Sequence, residues 1–421
     1  MRIIPVGGFL IRNLKNIHEK YPEIVHMRLG VADFYLLTSP DLVQEVLVTK
    51  QSNFIKGRYL QKTKRVFGEG LLTSEGEFHH RERRLVQPAF HTKRLNEYAK
   101  IMTSYSQKTL ENWHDGQILD IHLEMTKLTM SIVTRCLFGT DVEPGQISKD
   151  LSSIIDYFAR LSSPLSGLYQ KLPSNKKYAE SINRIDSLIL ELTKKRQDSR
   201  PNSDLLSMLL QAKDESGKNM SDSQIRDEVL ILFAAGHETT ANALTWTWYL
   251  LSQNPIVESK MSDEVSSLTQ NPSYSDISKL SYTTNVFAES MRLYPPAWVL
   301  VREAVKDSEI GGYRIPKHAQ VIMSQYVNHH DPRFFSNPEV FEPDRWTAEF
   351  KKELHKFAYF PFGGGPRSCI GEPFAWMEGT LILATISKNW KMLHVANHKV
   401  EMSPRITLRP RYGMKMKLVK R

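Results

Sequence analysis

Along the chain, short apolar runs come first and a helical period follows. Residues 24–30 (IVHMRLG) and 34–39 (FYLLTS) are rich in aromatic and branched side chains. The residues between them, Gly30, Val31, Ala32 and Asp33, predict a hairpin in a small sheet. Apolar positions then recur at helical spacing through 41–50, 94–113, 121–138, 150–170 and 178–196, which predicts helices. Turn-like breaks fall near Gly68 to Gly76, at Pro144 and Gly145, at Pro201 and at Gly217. After Pro295 and Pro296 the pattern shortens to strand candidates at 312–316 and 320–327. The expected fold is mainly α with a small β-sheet region. No repeat, low-complexity segment or linker interrupts it, so residues 1–421 are read as a single domain.

One predicted helix stands apart. Ser221 and, three positions on, Gln224 make a capping-box signature, and Asn254 followed by Pro255 closes the run QIRDEVLILFAAGHETTANALTWTWYLLSQNP. Roughly thirty residues at 1.5 Å each span about 45 Å, enough to cross a whole domain through its core. The flanks are apolar, yet the middle reads Gly236, His237, Glu238, Thr239, Thr240. An acid in a buried helix is costly without a partner or a function. From the residues alone, this patch is either a solvated stripe with Thr239 bonding back to its own helix or a site of chemistry.

Composition narrows the classes. Hydrophobic residues make up 41% and charged residues 24%, as in soluble globular proteins, and no run approaches the ~20 apolar residues of a membrane span. The N-terminus lacks a long apolar region and a small-residue cleavage site, so neither a signal peptide nor a membrane anchor is read. Two cysteines, Cys136 and Cys369, argue against a disulfide framework and for a reducing, cytoplasmic setting. Cys136 lies in the apolar stretch SIVTRCLFG and reads as a core filler. With no CxxC or HExxH pair, a zinc site has no ligand set. The net charge of +10 gives a positive field. The basic residues are scattered and carry no nucleic-acid motif, so an acidic protein partner fits better than nucleic acid.

Cys369 changes the picture most. It ends the run Phe362, Gly363, Gly364, Gly365, Pro366, Arg367, Ser368, ahead of Gly371 and an apolar helical stretch through Ala375, Trp376, Met377 and Leu381 to Leu383. Glycines admit φ > 0 and let bare N–H groups converge on one sulfur. A helix N-terminus just beyond favours negative charge. A cysteine so placed ligates metal or attacks carbon; the competing reading is a buried, inert thiol.

The phenylalanine, glycine, arginine, cysteine, glycine pattern resembles the haem-binding loop of the cytochromes P-450, the haem-thiolate monooxygenases. The resemblance implies a cytochrome P-450 fold of the soluble, prokaryotic type with a long central helix. It also implies haem b (iron protoporphyrin IX) with Cys369 as the axial iron ligand, whose thiolate favours O–O cleavage. By the same resemblance, AAGHETT is the oxygen-binding groove, with Ala235 beside the haem and Glu238 and Thr239 as the catalytic proton relay. Glu289 and Arg292 in VFAESMRLYPP match an ExxR motif that joins Arg345 of FEPDRW in a structural network. By spacing alone they are an ordinary helical pair. Phe362 belongs to the haem contacts. His79, Arg83, Arg302 and Arg367 match the propionate contacts, and His79 stands where many members have tryptophan. Substrate contacts would come from the loop 59–74, from Phe233 and Ala234, and from residues 298–300. Those that read as apolar walls are Phe67, Leu71, Leu72, Trp298, Val299 and Leu300, which suit a small hydrophobic substrate such as a fatty acid, terpenoid or steroid.

The implied reaction takes O2 and two electrons, ultimately from NAD(P)H through a separate ferredoxin or flavodoxin with its reductase. Three rivals are a thiol hydrolase with Cys369 as nucleophile, a haem-binding sensor or carrier without turnover, and a peroxide-driven haem-thiolate enzyme. The hydrolase lacks a local signature for its base, and the Glu238 and Thr239 pair argues against the other two.

Overall fold

The central helix runs from Asp222 to Gln253, 32 residues or about 48 Å. Its start is fixed as the sequence predicts: the Ser221 hydroxyl accepts the Gln224 amide and the Gln224 side chain accepts the Ser221 amide. The helix stops at Asn254 because Pro255 opens the next one, Pro255–Ser266. Phe233, Leu244 and Trp246 along it are fully buried, so it is clothed by protein on nearly every side. This computed structural model describes residues 6–21, 23–30, 32–161, 174–198 and 204–421.

Helix Ile121–Phe138 packs along the central helix and has the predicted bounds. Asp120 caps its first turn by accepting the His122 and Leu123 amides, and Gly139, at φ +63°, turns the chain off its end. Helices Thr92–Leu110, Ser281–Leu293 and Glu372–Ser387 complete the bundle around it. Cys136 is buried among these helices, and burial pushes its thiol well up, as suits a core filler.

The β-structure divides into separate sheets. Strands β1 (Ile24–Leu29) and β2 (Ala32–Leu37) form the expected hairpin, with Ile24 opposite Leu37 and Gly30 at φ +62° in the turn. They join β3 (Phe54–Lys56), β5 (Leu300–Ala304) and β8 (Gln320–Met323) in a five-stranded sheet of order β1-β2-β8-β5-β3. The pairing of β2 with β8 is parallel, Phe34 opposite Gln320. A smaller sheet joins β4 (Ile118–Asp120) and β9 (Trp390–His394) to the C-terminal β12 (Lys415–Lys420), and two hairpins pair β6 (Ser308–Ile310) with β7 (Tyr313–Ile315) and β10 (Met402–Pro404) with β11 (Leu408–Pro410).

Several expectations shift. Pro144 and Gly145 are a helix start, not a break: proline costs nothing at the first turn, and Glu143 accepts the Gly145 and Gln146 amides, both at 2.9 Å. The described part of that helix is Pro144–Leu161, and the rest of the predicted 150–170, like Pro201, lies outside the described residues. The strand expected over 320–327 ends at Met323, where Ser324 caps the short helix Gln325–His329. The 41–50 helix is α only over Pro40–Gln44 and then widens to a π-turn over Glu45–Thr49. The charged run Gly76–Val86, left unassigned by the apolar period, is helical.

Candidate active site

The cysteine loop is built by two internal hydrogen bonds and two close approaches. The Cys369 amide donates to Phe362 O at 2.9 Å and the Ser368 amide to Gly365 O at 3.0 Å, folding the loop on itself. Gly365, at φ +67°, lies so near the π-turn that a Cβ there would stand 1.9 Å from Leu47 O. Gly364 is as close to the Phe357 ring, at 2.3 Å. Only glycine fits both places, which explains the glycine run. The Cys369 side chain is accessible, though protein surrounds it densely. Burial pushes its thiol up, and the Gly371 amide and the Arg83 and Lys56 cations pull it back toward thiolate.

Around this loop the structure brings together all four predicted propionate contacts. Arg83, on helix Gly76–Val86, donates to Ser368 O at 2.8 Å. Arg367 donates to Ser74 O at 2.6 Å and pairs with Glu75. Arg302, on β5, is 6% exposed and burial lowers its pKa to about 10. His79 is 2% exposed, its Nδ1 lacks a protein partner, and burial followed by the charges of Arg367, Lys56 and Arg83 lowers its pKa to about 3. It is a neutral ring with a free polar atom at neutral pH.

The residues missed here include Lys56, the last residue of β3, whose ammonium is driven down to about 7 by burial and by Arg302 and Arg367. The Glu75 carboxylate opposes that lowering at Lys56, Arg302 and Arg367 alike. Buried Arg302 and half-buried Lys56, Arg83 and Arg367 gather here with Glu75 as the opposing carboxylate and an orphaned histidine nitrogen among them, a donor set suited to a dianion. The two propionates of haem fit that need, and the Cys369 sulfur fits its iron.

The central helix contributes an open stripe. Leu232 and Thr239 are half-buried and Ala235 is exposed, although the helix crosses the core. Their i, i+3, i+7 spacing puts them on one face lining an internal cleft. The Thr239 hydroxyl donates to Ala235 O at 2.8 Å. Glu238 points elsewhere, as successive residues on a helix must. Its carboxylate accepts from Arg409 at 2.7 and 2.8 Å and from the Thr407 hydroxyl, so no direct hydrogen bond joins it to Thr239. Asn242 donates to Thr407 at 3.2 Å and lies 3.1 Å from His122 Nε2, extending the chain of polar groups toward helix Ile121–Phe138. Neither Arg409 nor Thr407 is visible as a partner in the sequence. A second unforeseen acid is Glu378, fully buried, which burial raises to about 8 against the opposing effect of the Thr240 hydroxyl.

Glu289 and Arg292 do form a buried pair, at 2.9 and 2.8 Å, and Arg345 joins it at 3.0 Å. The Trp346 indole also donates to Glu289, at 2.9 Å. Phe362 stacks obliquely on Trp376, ring centres 5.6 Å apart. The substrate candidates divide. Phe67 and Leu71 are buried in the helical core, and Leu72, Val299 and Leu300 are half-open, with Leu300 Cδ1 3.5 Å from a Cβ built on Gly363. Trp298 is a correction: it packs in the sheet-side core with Leu36 and Tyr326 and donates to Arg405 O at 2.8 Å, which takes it out of the wall. No histidine hydrogen-bonds Cys369 among the described residues, and its thiol is raised, so the arrangement lacks what a thiol hydrolase requires.

Comparison with known proteins agrees with this geometry. The family model for Cytochrome P450 matches residues 4–418. The chain is 39% identical to cyclooctatin synthase of Streptomyces melanosporofaciens, over 92% of this chain and 86% of that protein. It is 35% identical to cyclooctat-9-en-7-ol 5-monooxygenase of the same organism, over 88% of this chain and 82% of that one. Its structure superposes on the heme domain of cytochrome P450DA with a TM-score of 0.89 at 26% identity, covering 98% of this chain and 93% of that chain. The cysteine loop, its ring of cations and the mainly helical fold therefore belong together: the chain is a member of the cytochrome P450 family, a haem-thiolate monooxygenase.

Proposed function

We propose that this enzyme hydroxylates a cyclic, terpenoid-like hydrocarbon or alcohol in the cytoplasm, with all 421 residues forming one catalytic unit. The observation that carries the reading is that the half-open candidates Leu72, Val299 and Leu300 are all apolar, and that Leu300 lies against Gly363 of the cysteine loop. Such residues offer a bulky hydrocarbon area without polar anchors. A relative whose name specifies oxidation of cyclooctat-9-en-7-ol supports this class over fatty acids and steroids.

When bound, haem supplies the redox chemistry of oxygen insertion. The chain's own residues supply the rest. Lys56, Arg83, Arg302 and Arg367 would neutralise the propionates, and His79 would donate from a neutral ring. The Gly371 amide stabilises the Cys369 thiolate. Dioxygen cleavage consumes two protons. Thr239 Oγ1, on the cleft face, delivers them, and Glu238, anchored on Arg409, replenishes Thr239 through intervening water. Thr239 must release Ala235 O to do so, an exchange of one hydrogen bond for another.

Electrons come from NAD(P)H through a separate ferredoxin or flavodoxin and its reductase. A cavity of about 380 Å³ beside Trp376, lined by Lys351, His355 and Lys356 with Trp346 and Tyr359, supports an acidic partner. Trp376 is the residue that touches Phe362. No helix among the described residues is long and apolar enough to cross a membrane.

The test combines a spectrum and a turnover. Reduced holoenzyme under carbon monoxide should give the strongly red-shifted Soret band of thiolate ligation. Cyclooctat-9-en-7-ol should shift the ferric spin state and yield a product one oxygen heavier. Lauric acid giving the shift and product in its place would overturn the terpenoid assignment.

A further inference from the structure

The first turns of the central helix, far from Thr239, carry three consecutive charged residues that reach three different elements. Arg226 donates through Nη1 to Val66 O at 3.1 Å, and through Nε at 2.8 Å to Asp186 on helix Ser174–Gln197. Asp227 accepts Arg226 on one oxygen at 2.9 Å and the Glu69 amide on the other, also at 2.9 Å. Glu228 is fully buried with its carboxyl toward the Leu71 amide.

The fit is close enough to dictate sequence. Gly68, at φ +63°, stands where a Cβ would lie 1.8 Å from Asp227 Oδ2. A Cβ on Gly70 would lie 2.7 Å from Ile231 Cδ1 and 3.1 Å from the Glu228 carboxyl carbon. The Thr73 hydroxyl donates back to Gly68 O at 2.7 Å, closing the loop on itself. Glycine thus lets backbone, not side chain, enter the socket. This loop carries the half-open Leu72, with Phe67 and Leu71 anchoring it in the helical core.

We propose that Arg226 and Asp227 are positioning residues that seat the 66–72 loop against the central helix and helix Ser174–Gln197, and so set how bulky a ligand the cleft admits. The proposal deepens the terpenoid reading and rests on it for the natural ligand. Its geometry is independent of that ligand. Asp227 is the hinge of the set, because it alone holds both the loop amide and the arginine that binds Asp186. Removing it loosens the loop, which Arg226 still holds at Val66 O, without touching the cysteine loop, the cation ring or Thr239.

The experiment is a pair of optical titrations on holoenzyme with imidazole, which needs little room, and clotrimazole, which fills the cleft. D227A should weaken clotrimazole about tenfold, the cost of one charge-assisted hydrogen bond, and leave imidazole within about twofold. D227N keeps an acceptor for the Glu69 amide and should recover most of the loss. R226Q is the second variant, should D227A fail to hold haem. In turnover of cyclooctat-9-en-7-ol, KM should rise more than kcat falls. An unchanged ratio of the two azole affinities in D227A and R226Q, or equal weakening of both azoles, overturns the proposal. If the terpene alcohol gives no spectral shift with the unsubstituted enzyme, the substrate assignment fails and the azole ratio still decides the socket.

Discussion

Substituting Glu289 by alanine removes the acceptor at the centre of the most heavily bonded buried ion cluster described above. Its two oxygens take Arg292 Nε and Nη2, Arg345 Nε, the Trp346 indole and the Glu342 amide, at 2.8 to 3.1 Å. Glu289 and Arg292 are both wholly buried. After the substitution Arg292 keeps the carbonyls of His329, Pro338 and Val340, at 2.7 to 3.0 Å, but no negative charge. Breaking a buried pair from one side costs about 3–5 kcal/mol, much of it from stranding the surviving charge. With unfolding entropy near 2.1 cal/mol/K per residue, this corresponds to a Tm drop of about 3–6 °C in a chain of this size. Urea unfolding read by far-UV circular dichroism gives the energy, and the reduced carbon monoxide band gives haem retention. Glutamine in place of glutamate should rescue little, because its NH2 would face guanidinium donors. A Glu289→Ala protein within 1 kcal/mol of the unsubstituted one, fully loaded with haem, would refute the argument.

Three other outcomes are expected. Thr239→Ala should raise peroxide output and cut product formed per NAD(P)H by about a hundredfold, the low end of what a positioned general acid contributes; unchanged coupling would remove Thr239 from proton delivery. Glu378 has a folded-state pKa near 8, above the ordinary value of 4.5, so its contribution is intact below about pH 4.5 and is lost as pH rises toward 8. Glu378→Gln should flatten part of that decline, by at most about 5 kcal/mol between pH 5 and 8, as measured by urea unfolding at each pH; Glu228, also raised to about 8, should keep a residual slope. Lys351→Glu with Lys356→Glu should slow reduction by an acidic ferredoxin, and rising salt should slow the unsubstituted enzyme toward the same rate; salt-independent rates would count against that partner.

Legibility followed the range of the interactions. The central helix could be read because Ser221, Gln224, Asn254 and Pro255 act within a few residues of its ends. The cysteine loop could be read because its glycines answer local crowding, even though the crowding atoms, Leu47 O and the Phe357 ring, belong to other segments. Lys56 was hidden because a three-residue strand has no pattern to reveal it. Arg409 and Thr407 were hidden because they approach Glu238 from the far end of the chain. Trp298 was misplaced for a related reason: an apolar residue near a cleft has the same sequence signature whether it faces the cleft or the core. Pro144 misled because proline interrupts a helix but also starts one.

The parallel pairing of β2 with β8 has a consequence for synthesis of the chain. Phe34 leaves the ribosome long before Gln320, its partner, and at about 5–20 residues per second the delay is roughly 15–60 s. Throughout that interval both hairpin strands are synthesised, yet the outer edge of β2, carrying Tyr35, Leu36 and Leu37, has no strand to pair with. An unpaired apolar edge is a template for pairing with another nascent chain. Slowing translation should therefore lower the yield of soluble protein, whereas a charged residue placed on that edge would trade native sheet stability for a safer passage off the ribosome.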